Sequence, residues 1–408
     1  MALSAGARGM PAPFYLLLQL PTGMTRGFVT VTLAYLLTQA GVGVGAVGAL
    51  VALYVAPEAW KFFFGPMLDM SLSPRVWYGL SLAVGALALA LFALIPLEPG
   101  NMALITAVAL TVSIAINLMG SSFTTLVAAT VPDDRRGSVA GWGQSGNLGG
   151  AGLGGGLGLW LATHAGGQVT ASLGVAALCL ACATPVLLLR APRTTGATAF
   201  GARLRELWGA LMELLRTRNG VLALIAVTIP VALGASSGLL AAVSGDWHAS
   251  ADVVALTLGA VGGLATLPGC VLGGYLCDRY PKRIVYVGSA LASSLGLAAM
   301  AVGPHTSFAF GAFVLANAFL LGVAWAAVAA VIYEQLDGRA AATVGAVLAS
   351  FCNLPVVVVT AVVAGVAERH GSTAMLLTEA GLGVASALAY ALLAWLWRPG
   401  TRVALAAA

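Results

Sequence analysis

The stretch GPMLD at residues 65–69 closes a long apolar segment, and a similar stretch, GYLCD at 274–278, closes another in the second part of the chain. Each places an aspartate four residues after a glycine, and a short turn containing basic residues follows each of them. A second acid–base turn, PDDRRG at 132–137, has a shorter counterpart, DGR, at 337–339. A repeat of this kind is typical of membrane proteins built from two related halves. The chain is therefore predicted to consist of two halves of like structure.

The composition excludes a water-soluble protein. Of the 408 residues, 60% are hydrophobic and only 8% are charged, whereas an average soluble domain carries about 25% charged residues. The apolar residues suffice for about twelve membrane-spanning helices of about 20 residues each. A soluble enzyme, a disordered protein and a nucleic-acid-binding protein are therefore excluded. The formal net charge of +5 is a small excess, which in a membrane protein usually reports orientation.

Twelve apolar stretches are long enough to span a membrane. They cover 13–38, 44–67, 76–97, 102–130, 138–163, 169–190, 219–243, 253–277, 284–303, 307–333, 340–366 and 374–397. The longest polar gap, 191–218, has leucines at helical spacing in its second part and is expected to lie on the membrane surface. We predict an all-α membrane protein with two pseudo-symmetric six-helix halves, 1–190 and 219–408, joined by this linker.

The basic residues predict the orientation. If residue 1 is cytoplasmic, sixteen of the 19 lysines and arginines fall on the cytoplasmic side and only Arg369 on the other. Arg26 and Lys61 lie inside spans. Because basic residues accumulate in cytoplasmic loops, we expect a multi-pass protein of a bacterial inner membrane with both termini in the cytoplasm.

These features together resemble the major facilitator superfamily, whose loop signature has a glycine and an aspartate four residues apart at the end of the second span and again after the eighth. More narrowly, WKFFFGPMLD at 60–69 resembles the second span of the AmpG-like permeases, which take up muropeptides, and GWGQSGNLGG at 141–150 resembles the siderophore-permease branch. The fourth span reads GSSFTTL at 120–126, where the muropeptide permeases carry acidic residues. The resemblance implies a secondary transporter.

Charged residues within the spans are the first candidates for function, because a charge in hydrocarbon costs about 2.5–3.5 kcal/mol on insertion scales. Arg26 is expected near mid-bilayer, where its guanidinium either anchors an anionic substrate group or pairs with a buried acid or helix carbonyls. Glu58 is the candidate for proton coupling, since a carboxylate beside a water-filled cavity can exchange protons. Glu58 and Lys61 are three residues apart, however, so a simple ion pair between them explains the same spacing. Lys61 is expected to contact substrate or to extend its ammonium toward the membrane surface.

Uncharged amides complete the predicted substrate site. Together with the two bases, the predicted substrate-binding residues are Arg26, Lys61, Gln19, Asn147, Gln144, Asn317 and Asn353. Hydrogen bonding between helices is the alternative role for each amide. Around Asn147, glycines dominate residues 146–158, and such small residues let helices approach closely or slide, which suits rocking between states.

Acids at helix ends and bases in the turns form a third group. The resemblance implies that they bridge helices and hold the cytoplasmic face shut, whereas topology signalling is the alternative. The predicted cytoplasmic gate comprises Asp69, Arg75, Asp133, Arg136, Asp278, Arg279 and Arg283.

The sequence therefore predicts a proton-coupled importer of a small anionic or amphiphilic solute, siderophore-like or peptide-like, that works by alternating access. An exporter of small hydrophobic compounds is the alternative, and a substrate-sensing receptor on a transporter scaffold is a third interpretation. No catalytic residue, metal site or cofactor is predicted, since no histidine cluster, metal-ligand spacing or phosphate-binding loop occurs. The expected partners are the small-molecule substrate and the lipid bilayer, with the protein a monomer that binds no nucleic acid.

Overall fold

The computed structural model describes residues 10–188, 200–229, 234–237, 239–258, 260–336 and 340–397. Within these residues the chain is all-helical and forms twelve spans, which confirms the predicted fold class. The predicted termini, the turn at 337–339 and the start of the linker, 191–199, lie outside the described residues.

The spans of the first half follow the predicted stretches closely. They are α1 (Phe14–Gly27, Phe28–Leu33 and Ala34–Gln39), α2 (Val44–Val55, Ala56–Phe63 and Phe64–Met70), α3 (Pro74–Leu91), α4 (Met102–Thr130), α5 (Arg136–His164) and α6 (Gly167–Cys182 and Thr184–Leu188). The spans of the second half repeat the order. They are α7 (Arg218–Thr228, Leu240–Val243 and Ser244–Trp247), α8 (Ala251–Leu258 and Ala260–Arg279), α9 (Lys282–Val302), α10 (Ser307–Glu334), and α11 and α12, which share Ala341–Leu396.

A single glycine separates α11 from α12. Gly371 has φ 84° inside the otherwise continuous helical stretch, in the left-handed region that favours glycine. Eight helical stretches of the described residues are long and apolar enough to span a membrane on their own. Splitting one of them at Gly371 and adding the interrupted α1 and α7 and the glycine-rich α5 gives the twelve.

Helices α1 and α2 each contain an irregular stretch. Phe28–Leu33 is π-helical and Ala56–Phe63 is a 3-10 helix that begins next to Pro57. Runs of 3-10 helix longer than about four residues are uncommon, and irregular turns inside helices often mark functional positions. Phe28–Leu33 begins two residues after Arg26, and Ala56–Phe63 contains Glu58 and Lys61. The departures from α-helix therefore occur at or beside the charged residues of these two spans.

The glycines of α5 bring it into backbone contact with α1. A Cβ atom added at Gly154 would lie 2.0 Å from the carbonyl oxygen of Met24, and one at Gly27 would lie 1.9 Å from that of Ala151. The hydroxyl of Thr32 donates to the carbonyl of Gly155 at 2.9 Å. This face of α5 therefore fixes two helices of the same half to each other. Other glycines of α5 face α8 of the second half, where a Cβ atom added at Gly141 would lie 2.5 Å from the carbonyl oxygen of Cys270.

The linker helix, Phe200–Arg216, packs one face on the protein. Leu207 and Leu214 are buried in the core cluster between the halves, whereas Trp208 is 62% exposed. These two leucines of the amphipathic helix therefore pack against the bundle, while the indole of Trp208 lies at the surface of the protein.

A cavity between the two halves

A cavity of about 120 Å³ lies between the halves and is lined by residues of six spans. The first half contributes Gln19, Thr22 and Arg26 of α1, Glu58 and Lys61 of α2, Ile116, Asn117, Gly120, Ser121 and Thr124 of α4, and Gln144 and Asn147 of α5. The second half contributes Ala329, Ile332 and Tyr333 of α10 and Gly345, Ala346 and Ala349 of α11. Six of the eight residues predicted to bind substrate or couple protons therefore surround one space.

Arg26 and Glu58 form an ion pair inside this cavity, through Nη2 of the arginine and Oε1 of the glutamate. Their side chains are 28% and 15% exposed, so both can be reached from the cavity. The pairing connects α1 to α2 and differs from the Glu58–Lys61 pair that the spacing suggested. Nε of Arg26 is buried and has no hydrogen-bond partner in the described part of the chain.

Lys61 shares the cavity with this ion pair but forms no ion pair among the described residues. The local backbone explains its position, because residues i and i+3 of a 3-10 helix lie on the same side, and Glu58 and Lys61 are both in Ala56–Phe63. With Glu58 ionised, the three charges leave the cavity with one net positive charge.

Amide and hydroxyl groups extend the polar lining. Nδ2 of Asn147 donates to Oε1 of Gln144 at 3.5 Å, while Oδ1 of Asn147 is buried without a partner in the described structure. Asn117 donates to the carbonyl of Ser113 at 2.9 Å. Asn117, Ser121 and Thr124 recur at helical spacing on α4, a signal in the sequence that could have identified this face.

Two predicted substrate residues do not line the cavity. Asn317 is 6% exposed, and its Oδ1 accepts a hydrogen bond of 2.7 Å from the hydroxyl of Ser293. This bond joins α10 to α9 within the second half, the alternative role of an intramembrane amide. Asn353 is half-buried on α11 outside the lining.

The two halves contribute different chemistry to the cavity. All ionised groups and all amides of the lining belong to the first half. The second half offers alanines, a glycine and Ile332, with Tyr333 as its one hydroxyl among the described lining residues. An elongated ligand would thus meet charge on one side and a smooth apolar wall on the other.

The aspartates at the ends of α2 and α8 bind across the two halves. Asp69 accepts hydrogen bonds from the backbone N–H groups of Ala342 at 3.2 Å and Thr343 at 2.7 Å, and from the Thr343 hydroxyl at 2.7 Å. Asp278 accepts from the backbone N–H of Ser138 at 2.9 Å and from the Ser138 hydroxyl. Each aspartate therefore caps the N-terminus of a helix in the other half, where a negative charge is favourable. The turns that follow these two aspartates contain Arg75, Arg279, Lys282 and Arg283. We therefore call the membrane face where they lie the basic face.

Arg136 adds a third link at the basic face. It donates to the carbonyl of Tyr333 at 2.7 Å and to that of Leu336 at 3.3 Å, at the end of α10, and pairs with Asp133 at 2.9 Å. Cations at a helix C-terminus interact favourably with its free carbonyls. The halves are thus held together at this face.

The other predicted gate residues have local roles or positions. Arg283 donates to the carbonyl of Asn219 at 3.0 Å, within the second half. The guanidinium of Arg279 stacks 4.2 Å from the ring of Tyr275 on its own helix. Arg75 lies in the first turn of α3.

Twelve membrane helices in two related halves, with a charged cavity between them and one face closed by helix-end bonds, define a membrane transporter. The chain belongs to the Major Facilitator Superfamily, whose family profile matches residues 15–354. It is therefore a multi-pass membrane protein and a secondary transporter, in a family that binds small molecules within the membrane.

Solved structures share this fold at low sequence identity. FucP of E. coli, a fucose:proton symporter, in its outward conformation is 17% identical, with a TM-score of 0.70 over 93% of this chain and 97% of that one. The proton:xylose symporter XylE is 14% identical, with a TM-score of 0.65 over 92% and 93%. The human organic anion transporter MFSD10 is 16% identical, with a TM-score of 0.70 over 93% and 100%. No curated protein shows significant sequence similarity to the chain.

Proposed function

We propose that the protein imports a small organic anion, including amphiphilic ones, together with a proton. The observation that carries the proposal is the Arg26–Glu58 ion pair beside Lys61 in the cavity between the halves. Guanidinium and ammonium groups bind carboxylate and phosphate oxygens. Arg26 can form a full ion pair with a substrate anion only when its ion pair with Glu58 is broken.

A proton on Glu58 is the simplest way to free Arg26. Protonation removes the negative charge from Glu58, after which an anionic substrate group can take its place on Arg26 and contact Lys61. Loss of the proton restores the internal ion pair and displaces the anion. The net charge of the site is +1 in the empty state and again +1 when a proton and a monoanion are bound together. The empty and the loaded transporter thus carry the same net charge in the cavity. Reorientation of the loaded form therefore has no added electrostatic cost.

The apolar wall and the sequence resemblances suggest the kind of anion. Alanines and Ile332 of the second half fit an apolar body, and the amides of the first half fit hydroxyl or peptide groups. The permease-like stretches at 60–69 and 141–150 support a siderophore-like or peptide-like solute. Two of the structural neighbours are described as proton symporters and one as an organic anion transporter, which agrees with this proposal.

We place the protein in a bacterial inner membrane as a monomer, with both termini and the basic face toward the cytoplasm. The excess of arginine and lysine in the segments predicted to lie on this side supports that orientation. The chain would divide into 1–190 and 219–408, with 191–218 as the linker.

Transport in proteoliposomes tests the proposal. A panel of labelled aromatic sulfonates, di- and tripeptides and hydroxamate siderophores is offered with and without an acid-outside proton gradient, and accumulation is measured. At least one anion should accumulate only with the gradient, and Arg26→Ala should abolish this uptake. Glu58→Gln should lose gradient-driven accumulation while retaining exchange of substrate between the two sides.

An exposed acid provides the control. Glu98 lies in the turn between α3 and α4, so Glu98→Gln should accumulate substrate as the wild type does. Uptake that is indifferent to both the gradient and Arg26→Ala would refute the proposal, and gradient-driven efflux of neutral hydrophobic compounds would favour an exporter.

A further inference from the structure

Helix α7 is interrupted, and the part beyond the interruption is bound by α11 and α12. The first part ends at Ile229, whose ψ of 130° is extended, and Gly234 has φ 81°, which favours glycine. We call residues 234–237 and 239–247 the outer α7 segment. It contains a turn stabilised by Leu239 N–H donating to the carbonyl of Ser236 at 2.8 Å, followed by the helical turns from Leu240 to Trp247.

Glu379 of α12 binds the beginning of this segment. Its Oε1 accepts a hydrogen bond from the backbone N–H of Ala235 at 3.0 Å, and its Oε2 accepts one from Ser236 at 2.9 Å. The side chain is only 1% exposed, and no lysine, arginine or histidine of the described chain forms an ion pair with it. Free N–H groups at the start of a helical turn are a favourable site for an anion.

Two further bonds tie the same segment to α11 and α12. The hydroxyl of Thr360 on α11 donates to the carbonyl of Ala235 at 3.1 Å. At the far end, the hydroxyl of Ser372 at the start of α12 donates to Asp246. The segment is thus attached to α12 at both of its ends, and the attachment at its beginning rests on a carboxylate.

We infer that Glu379 is a positioning residue, whose ionised carboxylate clamps the outer α7 segment to α12 so that the segment moves with α11 and α12 as one body. A buried carboxylate is costly unless it is compensated, and here two backbone N–H groups compensate it. Glu379 does not line the cavity and therefore acts on the movement of the second half instead of on substrate binding. The transport readout of this inference rests on the proposed function, whereas its structural readout does not.

Hydrogen exchange followed by mass spectrometry tests the clamp directly, on the full-length protein in lipid nanodiscs at one fixed pH. In Glu379→Gln one oxygen is replaced by an amide NH2 group, which faces a backbone donor and cannot accept its bond. The amides of Ala235 and Ser236 should then exchange about tenfold faster or more, since hydrogen bonds to charged groups are strong. Amides of the first half should keep wild-type rates.

Matched variants separate the clamp from general loosening. Thr360→Val removes a neutral hydrogen bond to the same turn and should accelerate exchange less than about threefold. Glu379→Asp keeps the charge on a shorter side chain and should fall between Glu379→Gln and the wild type, which also serves if the glutamine variant does not fold. Unchanged exchange at Ala235 and Ser236 in a folded Glu379→Gln protein would overturn the inference.

Transport measurements supply the functional readout. Glu379→Gln should lower the turnover of an anion that the wild type transports, by about fivefold to tenfold, while the affinity for that anion stays unchanged. A loss of affinity at unchanged turnover would overturn the inference, because Glu379 would then act as a substrate residue. If wild-type protein carries no organic anion while Glu379→Gln still accelerates exchange, the proposed function fails and the clamp stands.

Discussion

Asn147 holds a buried oxygen without a hydrogen-bond donor in the described structure, whereas Asn317 has Ser293 as its donor. An unsatisfied buried acceptor costs about 1–3 kcal/mol, and a ligand that offers a hydroxyl or an amide N–H recovers this free energy. The two side chains are the same, but in the part of the chain described only Asn147 has an acceptor free for a ligand. Replacing each of them should therefore affect a different property, substrate affinity for Asn147 and stability for Asn317.

We expect Asn147→Ala to weaken substrate binding by about tenfold, because a ligand loses one hydrogen bond in the cavity. Asn317→Ala should leave the affinity unchanged and lower the melting temperature, because Ser293 loses its buried partner. Substrate affinity and thermal unfolding in detergent, measured on both variants, check this pair. Equal losses of affinity in the two variants would contradict the assignment of Asn147 to the site.

At the level of elements, α1, which carries Arg26, is packed directly against α5. The backbones of the two helices are in contact along the glycines of α5, so α1 and α5 pack as one unit. Both helices contribute residues to the cavity lining. Close-packed backbones leave no space for even one methyl group without a shift of a helix.

Gly154→Ala should lower the free energy of unfolding by about 1–3 kcal/mol, because its Cβ meets the carbonyl of Met24. Gly152 is the matched control on the same helix, since a Cβ added there meets nothing within 4 Å. Gly152→Ala should be neutral or stabilising by up to about 1 kcal/mol, as expected for alanine in place of glycine in a helix. Thermal unfolding of both variants decides the point, and equal melting temperatures would speak against the packing described.

Several elements could be predicted from the sequence because hydrocarbon imposes a simple length rule. The stretch 102–130 was predicted as a span and coincides with Met102–Thr130. The irregular turns at Phe28–Leu33 and Ala56–Phe63 were not predicted, since π, 3-10 and α turns differ in a single hydrogen-bond register. Residue partners were harder still. The spacing of Glu58 suggested Lys61 as its partner, whereas in the structure Glu58 pairs with Arg26 of the neighbouring helix α1.

At the scale of the whole molecule, the two halves are joined by two equivalent contacts, in each of which an aspartate caps a helix of the other half. Asp69 of the first half caps α11, and Asp278 of the second half caps α5. Opening the basic face requires that both caps separate, because each spans the seam between the halves. The opening of the basic face should therefore be all-or-none, and few molecules should have one cap broken while the other is intact.

Replacing both aspartates should shift the population toward an open basic face. Cys270 is fully buried where α8 meets α5, with its carbonyl against Gly141, and Cys179 is buried inside the first half. In Asp69→Asn/Asp278→Asn, N-ethylmaleimide should modify Cys270 about tenfold faster than in the wild type, because charge-assisted caps are lost. Cys179 should keep its rate and is the internal control. A Cys270 rate that stays at the wild-type value would exclude a closing role for the two caps.

The unequal lining of the cavity has a consequence for how such proteins diversify. Because the ionised groups belong to α1 and α2 and the apolar wall to α10 and α11, selection can reshape the wall without disturbing the charges. Enlarging a position such as Ala346 or Ala349 would exclude a bulky cargo and admit a slimmer one, with the same energy source driving both. A lineage of related carriers could then exchange one nutrient for another through substitutions confined to a single bundle.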